Sequence, residues 1–350
     1  MKSILSNASK LLDKGVEEGV FPGAIALVGN KDKIIFKHAC GCRQLYPDKK
    51  SMNMDTMFDL ASLTKVVATT PLVMLLIESG GISLYDEIGY YLPQFKCYED
   101  LRIINLLTHT SGFKDFFPLY KLCKGLEDSL DFISKSKLQC KVGEKVIYSD
   151  NNFIILRSVI EKVLGEPFED SCYKYIFKPL GMVHTCFNPK DKDNIAATEL
   201  DNSTGVYLKG VVHDENARFF NGVSGHAGLF STAVDLSKYC SIYLINDKKL
   251  LSESSINCIN HNYTKSLGES RGLGFCVKCY GENSSGGELI TSGAFGHTGF
   301  TGTSIWIDKT LGIYIILLTN RVHPSRDNTK IIRFRRVFHN SVISSLNKGE

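Results

Sequence analysis

The chain has 350 residues, of which 43% are hydrophobic and 22% charged, and a formal net charge of +4 with histidine neutral. At about 150 residues per domain, this length suits two domains or one domain carrying an insertion, and the composition supplies a full apolar core. A disulfide-stapled mini-protein and a disordered chain are excluded, and a charge of +4 spread over 350 residues points to neither nucleic acid nor an anionic membrane surface.

In chain order, Ile4, Leu5, Ala8, Leu11, Leu12 and Val16 share one face of a predicted helix that Gly19 and Pro22 end. Polar residues interrupt this segment too often for a signal peptide. No stretch reaches the roughly 18–20 apolar residues that cross a bilayer, so the sequence predicts a cytoplasmic protein with no membrane partner. Residues 24–28 and 33–37, joined by Gly29-Asn30-Lys31-Asp32, read as a hairpin. Residues 62–78 are apolar nearly all round, as a buried helix is; Pro71 is expected to kink it and Gly80-Gly81 to end it. Helical patterns recur over 103–107, 126–134, 152–164 and 168–176. Strands are expected at 274–278, 303–307 and 313–319, followed by a helix over 328–346. This order suits an α/β (α+β) fold with one sheet domain assembled from residues 1–60 and 213–350, and a mostly helical insertion over 61–212.

The eleven cysteines are odd in number and scattered, which gives no disulfide framework, and most are expected to be small buried hydrophobes. Cys276 and Cys279 have zinc-knuckle spacing, but they lie in an apparent strand stretch over 273–280, where residues three apart point to opposite faces, so no metal is assigned to them.

Ser62-Leu63-Thr64-Lys65 opens the buried helix and puts a hydroxyl and an amine side by side on one helical face. Taken alone, this spacing equally describes a helix N-cap followed by a solvated lysine. As a nucleophile and its base it requires a lysine brought from about 10.4 to near 7, roughly 4–5 kcal/mol of differential interaction, which burial can supply. Two further segments follow at a distance: Tyr148-Ser149-Asp150, just before a predicted helix, and Gly296-His297-Thr298-Gly299-Phe300-Thr301-Gly302, just before a strand pair.

With these three motifs in this order, the sequence resembles the serine β-lactamase and penicillin-binding-protein family, especially its class C-like branch of esterases and D-amino-acid peptidases. That family carries Ser-x-x-Lys, Tyr-x-Asn and then Lys-Thr-Gly or His-Thr-Gly. The resemblance extends to Thr108–Gly112 and Gly225–Thr232 and covers nearly the whole chain. It implies a β-lactamase/transpeptidase-like fold, with a central antiparallel sheet flanked by helices. It also implies Ser62 as the acylated nucleophile, Lys65 as its proton acceptor and Tyr148 as the proton shuttle. The backbone N–H groups of Ser62 and Phe300 would form the oxyanion hole, and Asp150, His297, Thr298 and Gly299 would contact substrate.

Two departures bear on the substrate. Asp150 stands where the family has Asn, replacing an amide donor by an acceptor-only carboxylate, and His297 stands where a lysine is common, so recognition of a substrate carboxylate loses charge. Both favour a small ester or a D-amino-acid-type amide over a β-lactam. The expected activity is hydrolysis of a small-molecule substrate through a Ser62 acyl-enzyme, with no metal and no organic cofactor. A true class C-type β-lactamase or D-Ala-D-Ala carboxypeptidase is the alternative within the family, and a catalytically idle ligand-binding protein is the alternative outside it. The sequence sets no oligomeric state.

Three other features get simpler readings. Thr108–Gly112 follows a predicted helix and reads as a structural turn. His213-Asp214-Glu215-Asn216 with His226 is assigned to substrate contact at the site rim rather than to a metal. Arg333, Arg335 and Arg336 read as the solvated face of the last helix.

Overall fold

Strands from both ends of the chain meet in one seven-stranded sheet in which each neighbouring pair is antiparallel. The computed structural model describes residues 5–245 and 249–347, so Ile4 of the predicted first helix lies outside the described residues. Across the sheet the order is Lys50–Ser51, Ile34–Gln44, Gly23–Asn30, Ile313–Thr319, Ser304–Asp308, Phe295–Thr298 and Cys276–Val277. The two central strands are apolar at almost every position because both faces of the sheet are covered. Alternation then sends Ile25, Leu27, Ile316 and Leu318 into a large core with the helical block, and Ala24, Ala26, Val28, Ile315 and Leu317 into a second core. That second core lies under the terminal helices Ser6–Glu17 and Ile331–Asn347, where Phe21 meets Phe334 edge-on.

The hairpin turn is fixed by Asn30, whose Oδ1 accepts from the N–H groups of Asp32 and Lys33. Its second strand runs on to Gln44, beyond the expected end at 37. The expected strand over 274–278 shortens to Cys276–Val277.

The buried helix over 62–78 departs from a simple Pro kink. A π-helical segment, Lys65–Thr69, precedes the α-helix Thr70–Glu78. The i→i+5 pattern asks residue 71 to donate to the Val66 carbonyl, and Pro71 has no N–H to give. The hydroxyl of buried Tyr239 fills that place on Val66. The cysteines also differ from expectation: only Cys172 and Cys240 are buried, Cys97 and Cys258 are exposed, the others are half-buried, and all are free.

Candidate active site

Ser62 is presented by a strained turn. Ala61, just before it, has φ +47, a left-handed conformation that costs an L-residue about 1–2 kcal/mol. The surrounding bonds hold it there: buried Asp59 accepts from Ala61 N–H at 2.8 Å and from His213 N–H at 2.7 Å. From the other side, the Thr303 and Thr301 hydroxyls donate to the Leu60 and Asp59 carbonyls at 3.0 and 2.7 Å. Gly299 lies so close that a Cβ there would sit 2.3 Å from the Leu60 carbonyl oxygen, so the Ser62 turn and the end of the strand Phe295–Thr298 form one unit.

One helical turn on, Lys65 is fully buried. Its Nζ donates to Ser62 Oγ at 2.8 Å, Asp150 Oδ1 at 2.7 Å and the His226 carbonyl at 3.2 Å. An ammonium has three N–H bonds, and all three are used. The expected lowering of the lysine pKa does not occur: burial pulls it down, but the Asp150 carboxylate and the Tyr148 hydroxyl outweigh burial and raise it above the ordinary value. Lys65 therefore rests as a cation.

Tyr148 lies over that cation, with its ring centroid 4.9 Å from Lys65 Nζ, and its hydroxyl interacts with Lys65 and Ser62. Burial pushes the phenol pKa up, with the Lys65 charge opposing it. His109, in the segment read as a structural turn, turns out to hold this tyrosine. Its carbonyl accepts from Ile147 N–H at 2.8 Å, its Nδ1 accepts from Ser149 N–H at 3.0 Å, and its ring centroid lies 4.5 Å from that of Tyr148. With Nδ1 accepting, the proton sits on Nε2, which is buried and unpartnered, and burial with the nearby Arg271 and Lys65 keeps His109 neutral.

These groups open onto a cleft of about 470 Å³ that Ser62, Tyr148, His297, Thr298, Gly299 and Phe300 line together. His297 donates from Nδ1 to the Thr298 carbonyl at 2.8 Å, so Nε2, buried and unpartnered, carries a lone pair. Burial, Arg271 and Lys65 keep this ring neutral, as expected. The cleft nevertheless does not lack positive charge. Arg271, Arg321 and Arg335 also line it. Arg335, expected on a solvated face, is buried and donates to the Gly299 and Thr303 carbonyls at 2.8 and 3.0 Å. It meets no carboxylate among the described residues, and burial with the neighbouring Arg321 lowers its pKa to about 9. Arg271 is buried beside Tyr148, its Cζ 5.3 Å from that ring, and one Nε in each of Arg271 and Arg335 is buried without a partner.

The polar cluster near residue 213 disperses. His213 Nε2 meets Glu199 at 3.1 Å and its ring stacks on Phe300, Glu215 pairs with Arg326, and Asn216 bonds the Phe117 carbonyl. Asp214 meets His226 Nε2 at 2.8 Å, while Ser224 holds His226 Nδ1 at 2.8 Å, which aims the His226 carbonyl at Lys65. Donors of Asp150, Asp214 and His226 lie within 4.8 Å of one another, and the Lys65 ammonium contacts Asp150 and His226 there. Cys276 accepts from Arg271 at 3.2 Å, whereas Cys279 accepts from Ser270 at 3.1 Å, so the two thiols have separate surroundings.

The structure thus brings Ser62, Lys65, Tyr148 and Asp150 into contact and places the 297–300 segment on the same cleft. The Beta-lactamase family model matches residues 8–339, and the chain belongs to that family. It is a serine hydrolase acting on an ester or amide. An N-acetylmuramyl-L-alanine amidase of Bacillus subtilis strain 168 is 31% identical over 367 residues, which cover 91% of this chain and 81% of the relative. Two solved structures show the same fold: EstCE1, a hydrolase with promiscuous acyltransferase activity (TM-score 0.80, 21% identity, 98% of this chain and 99% of that one), and the octameric penicillin-binding protein homologue from Pyrococcus abyssi (TM-score 0.77, 22% identity, 99% and 78%). No helix among the described residues is long and apolar enough to cross a membrane.

Proposed function

We propose that Ser62 is the nucleophile that becomes acylated, and that the substrate is a small ester or amide carrying a carboxylate, of the D-amino-acid or peptide-like type. The unbroken contact from Ser62 Oγ through Lys65 Nζ to Asp150 Oδ1 carries this reading. A charged Lys65 with its three hydrogens engaged can take the Ser62 proton only by giving one up, and Asp150 is the base in contact. In water, ammonium-to-carboxylate transfer is uphill by about 6.5 pKa units, or about 9 kcal/mol. The transfer therefore runs together with formation of the bond from Ser62 Oγ to the carbonyl carbon, which offsets its cost.

The developing oxyanion is met by the Ser62 and Phe300 N–H groups, neither of which donates to another acceptor among the described residues. Collapse breaks the bond to the leaving group, which takes a proton from the Tyr148 hydroxyl. The proton held on Asp150 returns through Lys65 to Tyr148. Water then repeats the sequence in place of Ser62 Oγ, with the acid released and the serine restored.

Arg321 and Arg335, which form no ion pair among the described residues, support an anionic substrate, because a guanidinium without a carboxylate partner favours an incoming carboxylate, whereas Arg271 is already paired with Glu269. The Bacillus subtilis relative supports an amide bond as the target. β-Lactam hydrolysis is disfavoured by Asp150, whose carboxylate offers no donor and is engaged by Lys65. We also place the protein in the cytoplasm, since nine half-buried or exposed thiols without a disulfide suit a reducing compartment. A panel of p-nitrophenyl esters, D-amino-acid p-nitroanilides and nitrocefin tests the reading. Turnover of carboxylate-bearing esters or anilides, abolished in Ser62→Ala, is expected; rapid nitrocefin turnover would reverse the substrate ranking.

A further inference from the structure

On the sheet face away from the Lys65 helix, we propose that Asp13, His38 and Cys40 hold one borderline-soft divalent metal ion, with zinc the best fit. His38 and Cys40 are two apart on the strand Ile34–Gln44, so their side chains leave the same face, and Asp13 reaches them from the helix Ser6–Glu17. His38 Nε2 lies 2.8 Å from Asp13 Oδ1, and one donor atom of each of the three residues lies within 4.8 Å of the other two. Tetrahedral zinc sets its nitrogen, oxygen and sulfur donors about 3.3–3.6 Å apart, so side-chain shifts of about 1 Å complete a three-ligand site with water as the fourth ligand.

The setting suits an ion as well. The side chains of Asp13 and His38 are 50% and 27% exposed, which gives an entry path, whereas Cys40 is half-buried against the core under the terminal helices. Thiolate with imidazole selects zinc over magnesium or calcium, which take oxygen ligands. Without metal, burial and then the Asp13 charge push the Cys40 thiol up to about 12. Metal uptake breaks the S–H bond, forms the S–metal bond and releases that proton to solvent. The ion would tie the first helix to the sheet, and none of its three ligands lines the Ser62 cleft.

The full chain, stripped of metal, is titrated with Zn²⁺ against a chromophoric chelator and with Co²⁺ in the spectrophotometer. One equivalent of submicromolar binding, a thiolate-to-cobalt charge-transfer band and a melting temperature that rises with Zn²⁺ are expected. Cys40→Ala and His38→Ala should each weaken binding at least about tenfold, while a Cys97→Ser/Cys258→Ser protein, lacking the two exposed thiols, should keep all three signals. Equal binding by wild type and Cys40→Ala, or binding lost with Cys97 and Cys258, would overturn the proposal. If Cys40→Ala does not fold, Asp13→Asn decides: weaker Zn²⁺ binding at unchanged ester turnover supports the site, and unchanged binding overturns it.

Discussion

Lys65 and Asp150 meet at 2.7 Å behind Ser62, the lysine from the π-helical segment and the aspartate from the first position of the helix Asp150–Leu164. Asp150 is favoured there twice, by the ammonium it faces and by the positive end of its own helix. The same contact outweighs the burial of Lys65 and keeps it a cation, which the proposed mechanism uses as a relay.

Replacing Asp150 by Asn removes the partner that raises Lys65, and burial then carries the lysine pKa downward. Activity near neutral pH should fall by about 10²-fold and recover as pH rises through the new lysine value, because a neutral Lys65 can take the Ser62 proton directly. Stability follows the same linkage. The raised lysine contributes stability that is fully present below its unfolded value of about 10.4 and lost as pH rises through the folded value. The variant lacks this contribution and should unfold more easily at pH 7, by up to about 3 kcal/mol. Parallel pH–rate profiles for the two proteins would remove Asp150 from the relay.

His109 should matter through Tyr148. In His109→Ala, Ser149 N–H loses its acceptor inside the protein, about 1–3 kcal/mol, and Tyr148 loses the ring beside it, with kcat falling about 10²-fold. His109→Asn tolerates the positive φ of +57 and restores an acceptor, so it should recover part of both losses. Steady-state kinetics with urea midpoints would check this; a kcat left intact in His109→Ala would show that Tyr148 is positioned without it.

The arginines predict a split between substrates. Arg321→Gln and Arg335→Gln should raise KM for a carboxylate-bearing ester about 10–100-fold, with little change for a matched neutral ester. An equal loss on both esters would mean that the guanidiniums only shape the cleft wall.

Four buried histidines set an acid limit. His109, His297, His323 and His339 have their pKa lowered, all by burial first, and His339 falls to about 4. Each pKa is depressed on folding, so the stability it contributes is present above the unfolded value of about 6.5 and declines as pH falls from there toward the folded value. Each histidine adds a slope of about 1.4 kcal/mol per pH unit in that window. Urea midpoints at pH 7, 6 and 5 should show a steep decline that is shallower in His339→Gln.

What could be read from the sequence follows the physical signals it carries. Ile313–Thr319 was legible to the residue because an unbroken apolar run ends at Gly312 and Asn320. The three motifs likewise named the side chains around Ser62. The π-helical segment was not legible beyond Pro71, because it depends on Tyr239, which is distant in sequence, reaching Val66. Arg335 reads from sequence as part of a charged run, although it stands four residues after Ile331 and three before Phe338, on the apolar face. Arg271 lies between elements, where no periodicity marks a buried side chain. His109 sat in a string that sequence could identify only as a turn, since its role rests on bonds to residues 147 and 149.

The most direct test is mass spectrometry of the intact protein and its peptides after reaction with a fluorophosphonate or a slowly deacylating ester. One adduct on Ser62, absent from Ser62→Ala, is the predicted result. An unmodified Ser62 in a folded protein that still hydrolyses ester, or an adduct on another residue, would contradict the assignment of Ser62 as the nucleophile.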